Sequence, residues 1–394
     1  MRKLKLSAYT LCSCLGQGKQ EHRDALFAEC AGLRQVDFEN IDLQTWIGRV
    51  HGVEDVVLPE KLRAYECRNN RLAQLAIESD NFVDSVRLAV SRYGTRRIGL
   101  FIGTSTSGVL EAEYAYAARD LAQDILPKDF SYNTTQAISS VGYFVRQLLR
   151  LEGPIEVVST ACSSSANVFA AAHRFMSAGF CDAAIVGGVD SLCQMTLYGF
   201  DSLQLVSQLP CRPCDRDRDG MNVGEAAGFA ILEWEDSNAE LCLLGYGESS
   251  DAWHMSAPDP TGAGAALAIR AALTRAGLEP LDIDYINLHG SATVANDLAE
   301  DAAVFEIFGG CAPCSSTKGF SGHVLGAAGI IEALFSCLAV ESDVAFRTMN
   351  TVNVDHAIRS PILLETHRTP ITNVMSNSFG FGGGNMSLIL GRPS

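Results

Sequence analysis

Apolar positions along the chain fall into short continuous runs, separated by longer stretches with a helical period. "LKLSAYTLCSCLG" (Leu4 to Gly16) reads as a first buried strand. "RRIGLFIGT" predicts a strand ending at Thr104, followed by a helix over 109–122. "SSVGYFVRQLLRL" predicts a helix, "IEVVST" a strand, and the Ala-rich stretch after Cys162 a further helix. "CDAAIVGGVD" and "GFAILEW" read as buried strands. Strands alternating with helices of this length predict an α/β fold, its sheets covered by helices.

The alternation restarts after "LCLLGYGESS". A helix over "GAGAALAIRAALTRAGL" leads to the strand "DYINLHG" and the helix "NDLAEDAAVFEIFG". The strand "APCSST", the helix "HVLGAAGIIEALFSCLAV" and the closing strands "TNVMSNSFG" and "NMSLILG" follow. Two halves, 1–240 and 241–394, are predicted with no Pro- or Ser-rich linker between them. "VVSTACSSSANVFAAAHRFMSAG" and "PCSSTKGFSGHVLGAAGIIEALFSC" share the plan strand, small-residue turn, Ala-rich helix, which suggests an internal duplication. Both helices carry so many Ala and Gly that burial between layers is expected.

Composition narrows the class. A chain of 394 residues, 47% hydrophobic and 19% charged, can bury a core without disulfides or structural metal. The basic N-terminal cluster precedes a short, broken apolar stretch rather than a signal peptide. No run approaches the roughly 18 uninterrupted apolar residues of a membrane span, so a cytoplasmic protein is expected. Thirteen cysteines at irregular spacings fit reduced thiols. The pairs Cys12/Cys14 and Cys211/Cys214 lack a partner pair at metal-site spacing, so core filling is favoured for both. A net charge of -16 argues against nucleic acid as a partner. One local basic patch, Lys61, Arg63 and Arg68, reads either as a solvated face or as a docking site for an acidic protein.

Candidate chemistry lies at the strand ends. Cys162 falls between a strand and a helix, where unpaired N–H groups converge and a lowered thiol pKa is expected. His289 and His323 occupy similar junctions, with Lys318 shortly before the second. Strand C-terminal ends are where ligand sites form in such folds. The run "SFGFGGGN" (Ser378 to Asn385) lies between the last two strands and lacks the P-loop Lys-Ser/Thr. It reads as a loop that brings backbone N–H groups close to a substrate.

Together the blocks "VSTACSSS", "DRDRDGMNVGEAAG", "SSDAWHMSAPDPTGAG", "NLHGSATVAND", "SSTKGFSGHVLGAAGIIEAL" and "SNSFGFGGGN" resemble the elongating β-ketoacyl-acyl-carrier-protein synthases. The resemblance implies a thiolase-like fold, two related α/β halves packed as αβαβα. It implies an acyltransferase in which Cys162 accepts the acyl chain, with His289, His323, Lys318 and Glu332 completing the catalytic set. Phe379 would be the gate, its N–H and that of Cys162 forming the oxyanion hole. Ser291 and Thr293 would hold the phosphopantetheine arm, and Met221, Phe200 and Thr106 would line the acyl pocket. The resemblance implies no metal or redox cofactor. Its partners would be an acyl carrier protein and a second subunit, identical or similar to a chain-length factor, with no nucleic acid or membrane.

Certain positions depart from the family. Met221 stands where phenylalanine is usual, Ala292 replaces a common serine or threonine, and Gly384 a common threonine. "LYGFDSLQLVSQ" lacks the arginine often used to hold the carrier. "RNNRLAQLA" and "GTSTSG" are similar to ketosynthases of bacterial aryl polyene clusters, which points to a specialised pathway. The alternatives are housekeeping fatty-acid elongation and a non-catalytic partner subunit.

Overall fold

The computed structural model describes residues 1–393 and is built on one long mixed sheet. Its ten main strands are β1 (Leu4–Ser13), β2 (Ile98–Gly103), β3 (Ile155–Val158), β4 (Ala183–Asp190) and β5 (Ala226–Trp234), then β6 (Cys242–Ser250), β7 (Tyr285–Asn287), β8 (Cys314–Ser315), β9 (Asn373–Phe379) and β10 (Gly384–Gly391). The strand order is β8-β7-β9-β10-β6-β1-β5-β4-β2-β3. Read outward from the centre, each half therefore runs first, fifth, fourth, second, third. In both halves the two inner pairings are antiparallel and the two outer ones parallel. Identical order and direction in both halves give the internal repeat a structural basis. The halves meet where β1 pairs with β6 at Leu4↔Leu243 and Lys5↔Cys242.

Helices complete five layers. α1 (Arg68–Ile77), α2 (Phe82–Tyr93) and α3 (Ser140–Leu148) pack with Leu100, Ile102 and Ile185 on the outer face of the first half. α4 (Ser164–Ser177) and α7 (Ala328–Ser342) share one core with Phe101 and Val186 of the first half and Val374 and Leu388 of the second. α5 (Ala263–Ala276) and α6 (Val294–Phe308) cover the outer face of the second half through Ile269, Val304 and Ile286. This is the αβαβα layering of a thiolase-like fold.

The Ala and Gly content of α4 and α7 has a steric cause. A Cβ on Gly329 would stand 2.4 Å from the backbone N of Ala166, and one on Gly188 2.4 Å from the Ser165 Cβ. Gly103, the last residue of β2, lies as tightly against Ser165. Ser165 also accepts the Ile330 N–H at 2.9 Å, locking the two helices together.

One expectation needs correction. The helix after β2 ends at Ala117, not 122, and the chain then turns back through a bridge between Asp120 and Ile125. Polar Arg119, Asp120 and Gln123 interrupt the apolar period there. The most apolar stretch, Leu325–Ser342 at mean hydropathy 1.5, is interrupted by Glu332 and Glu341, and 89% of it is buried. Its apolarity serves the middle layer between the two halves of the sheet.

Candidate active site

The turn that presents Cys162 is locked by its own hydroxyl residues. β3 ends at Val158 and α4 begins at Ser164. Between them Ala161 takes a left-handed φ of 51°, costly for a residue with a Cβ and held by surrounding bonds. Ser164 Oγ accepts the Thr160 N–H at 2.9 Å, Ser163 Oγ donates to the Thr160 carbonyl at 2.8 Å, and Asn167 donates to Thr160 Oγ1 at 3.0 Å. Cys162 is thereby fixed, almost wholly buried, at the head of the central helix.

Repeat symmetry brings the remaining groups to the same level. β8–α7 is the counterpart of β3–α4, and its connecting turn carries Lys318 and His323. His323 is held by its backbone, donating to the Asn222 carbonyl at 2.7 Å and accepting the Gly224 N–H at 3.0 Å. β7 is the counterpart of β2 and delivers His289. The N–H groups of His289 and Gly290 both donate to Glu300, each at 2.8 Å.

The constellation is compact. His323 Nε2 lies 3.0 Å from Cys162 Sγ. The two imidazoles stand edge to face, centroids 5.2 Å apart. Lys318 Nζ donates to the His289 carbonyl, approaches His289 Nδ1 at 3.3 Å and pairs with Glu332 of α7. All five residues are buried. Cys162, His289 and His323 each offer a ligand atom within 4.8 Å of the others, so the set could also hold a metal ion. The Lys318 cation behind His289 opposes a second positive charge there.

Burial sets the protonation states. The Cys162 thiol is pushed up to about 11, with Lys318 and the Phe381 N–H pulling the other way. The expected lowering is thus outweighed by loss of water, and the resting sulfur is a thiol. Both histidines are held well below their ordinary value, by burial first and then by Lys318. A neutral His323 can therefore take the Cys162 proton at Nε2. His289, whose Nδ1 faces the Lys318 ammonium, turns an Nε2–H donor toward the site, the tautomer being assigned from these contacts. Burial raises the Glu332 carboxyl to about 7 against the pull of Lys318.

A pocket opens beside these groups, lined by Phe200, Met221, Ser291, Thr293, Phe379 and Phe381 among others. Ser291 and Thr293 share a hydrogen bond of 2.9 Å. Thr106 does not line the pocket. It turns to Asp190, which accepts its N–H at 2.9 Å and its hydroxyl at 3.0 Å. The same carboxylate takes the Gly326 N–H, tying the turn after β2 to the entry of α7.

The N–H beside the Cys162 sulfur belongs to Phe381, two residues beyond Phe379. Phe379 still belongs to β9, opposite Asn385, with its ring 6.1 Å from that of His289. Phe381 lies beyond the strand end. The Phe381 ring rests on Phe200, centroids 5.7 Å apart. Gly380 permits the approach, since a Cβ there would stand 3.1 Å from the Cys162 nitrogen. Counting along "SFGFGGGN", the first phenylalanine completes the strand and the second enters the turn.

Sequence reading missed Glu300, Asp190 and Phe381; acidic residues closing on strand-end N–H groups leave no local pattern. Of the basic patch, Arg68 is removed: its guanidinium is buried between Glu225 and Glu54. Lys61 and Arg63 are exposed on a short 3₁₀ turn, Arg63 facing Glu60 at 3.3 Å, and neither lines the pocket.

Comparison with known proteins points to one family. Profiles of the families described as beta-ketoacyl synthase, N-terminal domain, and beta-ketoacyl synthase, C-terminal domain, match residues 70–238 and 241–352. The chain is 41% identical over 261 residues to a 3-oxoacyl-[acyl-carrier-protein] synthase 2 of Rhizobium meliloti (strain 1021), spanning 62% of each chain. With the protein of that name from Staphylococcus aureus (strain COL) it is 33% identical over 345 residues, 82% of each chain. A solved ketosynthase from Xenorhabdus doucetiae, in complex with its chain length factor, matches at 36% identity and TM-score 0.91, covering 100% of this chain and 98% of that one. The ishigamide ketosynthase/chain length factor matches at 26% identity and TM-score 0.90, with full coverage of both. A buried cysteine hydrogen-bonded to one of two neutral histidines, carried on this duplicated fold and matched over most of its length, makes the chain a member of the β-ketoacyl synthase family.

Proposed function

We propose that the chain condenses a carrier-bound malonyl unit with an acyl group held on Cys162, lengthening the chain by two carbons. The observation that carries this is the 3.0 Å contact between Cys162 Sγ and a neutral His323, backed by the Lys318–Glu332 pair. In the first stage Cys162 gives its proton to His323 Nε2 as its sulfur attacks the thioester carbonyl. Developing negative charge on oxygen meets the N–H groups of Cys162 and Phe381. The carrier thiol leaves with the proton from His323. Malonyl-carrier then enters and loses carbon dioxide, and the electron pair of the broken C–C bond passes into an enolate. The Nε2–H of His289 faces that enolate oxygen. Its carbon attacks the acyl-cysteine, the C–S bond breaks, and the Cys162 sulfur is reprotonated from water. No metal or redox group enters these steps.

The pathway reading is a specialised one, making polyene or other polyketide-like chains in the cytoplasm. The family departures at Met221 and in "GTSTSG" support it, as does similarity to a ketosynthase solved with a chain length factor. The 13 unpaired cysteines suit a reducing compartment. An acyl carrier protein delivers both substrates, and a second subunit, identical or similar to a chain length factor, completes the assembly. The test is condensation with malonyl-carrier across primers. Faster elongation of conjugated than of saturated primers supports the specialised pathway; the reverse order places the chain in fatty-acid elongation. Loss of product in Cys162→Ala, with the fold retained, is expected in either case.

A further inference from the structure

The pocket mouth is framed by three segments. One is the turn after the helix Gln194–Ser202, one the loop from Asp251 to Pro258, and one the start of α6. Large apolar side chains stand outward on all three: Leu203 is 50% exposed, Trp253 61%, Met255 79% and Val294 52%. Each lies within two positions of a residue that lines the pocket. Scattered exposed apolar residues are ordinary, but four of them, each beside a pocket-lining position on one of the three segments, set these segments apart.

Basic side chains are missing from the same place, whose charged residues are Asp201, Asp251 and Asp259. Residues 195–209, 251–264 and 291–296 contain no Lys or Arg. Arg68 is consumed by Glu225 and Glu54. The whole chain carries -16, so an acidic carrier gains nothing from its net field. An arm threaded to Cys162 is tethered to its carrier, so the carrier's surface must come to rest on this mouth. The loop that bears Trp253 and Met255 is firmly placed there. The Gly382 N–H donates to the Met255 carbonyl at 2.9 Å, and the Asp251 N–H to the Gly383 carbonyl at 2.9 Å.

We propose that the acyl carrier protein docks on this chain through the apolar rim of Leu203, Trp253, Met255 and Val294 rather than through basic side chains. This rests on the condensing-enzyme reading above, and it names the chemistry of the partner's face: apolar residues flanking the serine that bears the arm. Trp253 is the expected anchor, since a large aromatic side chain at the centre of a contact carries a disproportionate share of binding.

The test measures the rate of Cys162 acylation from two donors, an octanoyl-loaded acyl carrier protein and octanoyl-N-acetylcysteamine. In Trp253→Ala/Met255→Ala, kcat/KM for the carrier donor is expected to fall about 10-fold or more, while the small thioester reacts as in wild type. Trp253→Phe should restore most of the loss. Raising salt tenfold should change the carrier rate by less than about threefold, because screening acts on charge pairs. Unchanged carrier kinetics in the double variant overturn the proposal, as does a comparable loss in Lys61→Ala/Arg63→Ala instead. A wild-type chain acylated by neither donor overturns the reading of the site, and this proposal with it.

Discussion

Cys162 shows how burial and catalysis are reconciled at one atom. Its thiol sits near 11 because water is excluded, so its reactivity depends on a neighbour that accepts the proton at the moment of attack. His323 meets that need by being neutral, its own pKa held well below the ordinary value. Alkylation of Cys162 by iodoacetamide should therefore keep rising with pH up to about 10, as the thiolate fraction grows. A plateau below pH 8 would contradict it. Acylation by a thioester should instead be nearly flat between about pH 7 and 9, because the base is unprotonated throughout. His323→Ala should slow it by about 10²–10⁴-fold, read from single-turnover mass spectrometry. The type and place of Cys162, His289, His323 and Lys318 were legible, since each follows an apolar strand with small residues after it. The Phe379/Phe381 choice was not, because only the strand's end point decides which N–H reaches the sulfur. Arg68 misled for a related reason: a basic residue on a helix looks solvated until Glu225, 157 positions away, is placed beside it. Arg68→Ala should cost about 3–5 kcal/mol in a denaturant titration, because it leaves Glu225 buried and unpaired.

Among the elements, α4 and α7 do the most to set the site. One places Cys162, the other Glu332, and their contact runs through Ser165, Ala166, Gly329 and Ile330. Gly329→Ala should destabilise the protein by about 1–3 kcal/mol, visible as a lower melting temperature, since its Cβ has no space to enter. Gly380→Ala acts on another element, the turn between β9 and β10. It should slow acylation by about 10-fold or more with little change in melting temperature, because it pushes the Phe381 N–H off the sulfur. Most strands, and the helices α3 to α7, were legible because their runs are apolar or periodic; the helices Gly18–Phe27, α2 and Gln194–Ser202 were not read. The helix from Val109 was overextended, since Leu121 and Ile125 continue an apolar count after the backbone has turned back.

At the scale of the molecule, duplication places two equivalent turns face to face and lets them diverge. One keeps a nucleophile, the other a lysine and a histidine, and the shared middle layer holds them in register. Because that layer draws on both halves, residues 1–240 expressed alone should not fold cooperatively, as judged by a broad or absent thermal transition. The sequence plan suggested the repeat, but only the matching strand order and direction in both halves establish it, since pairing joins residues far apart in the chain. The central claim is that Cys162 carries the growing chain. Intact-mass spectrometry after incubation with an acyl-carrier thioester tests it most directly. The account predicts one acyl group per chain, located on Cys162 by peptide mapping, and discharged when malonyl-carrier is added. An acyl group on any other of the 13 cysteines, or one on Cys162 that malonyl-carrier leaves in place, would contradict it.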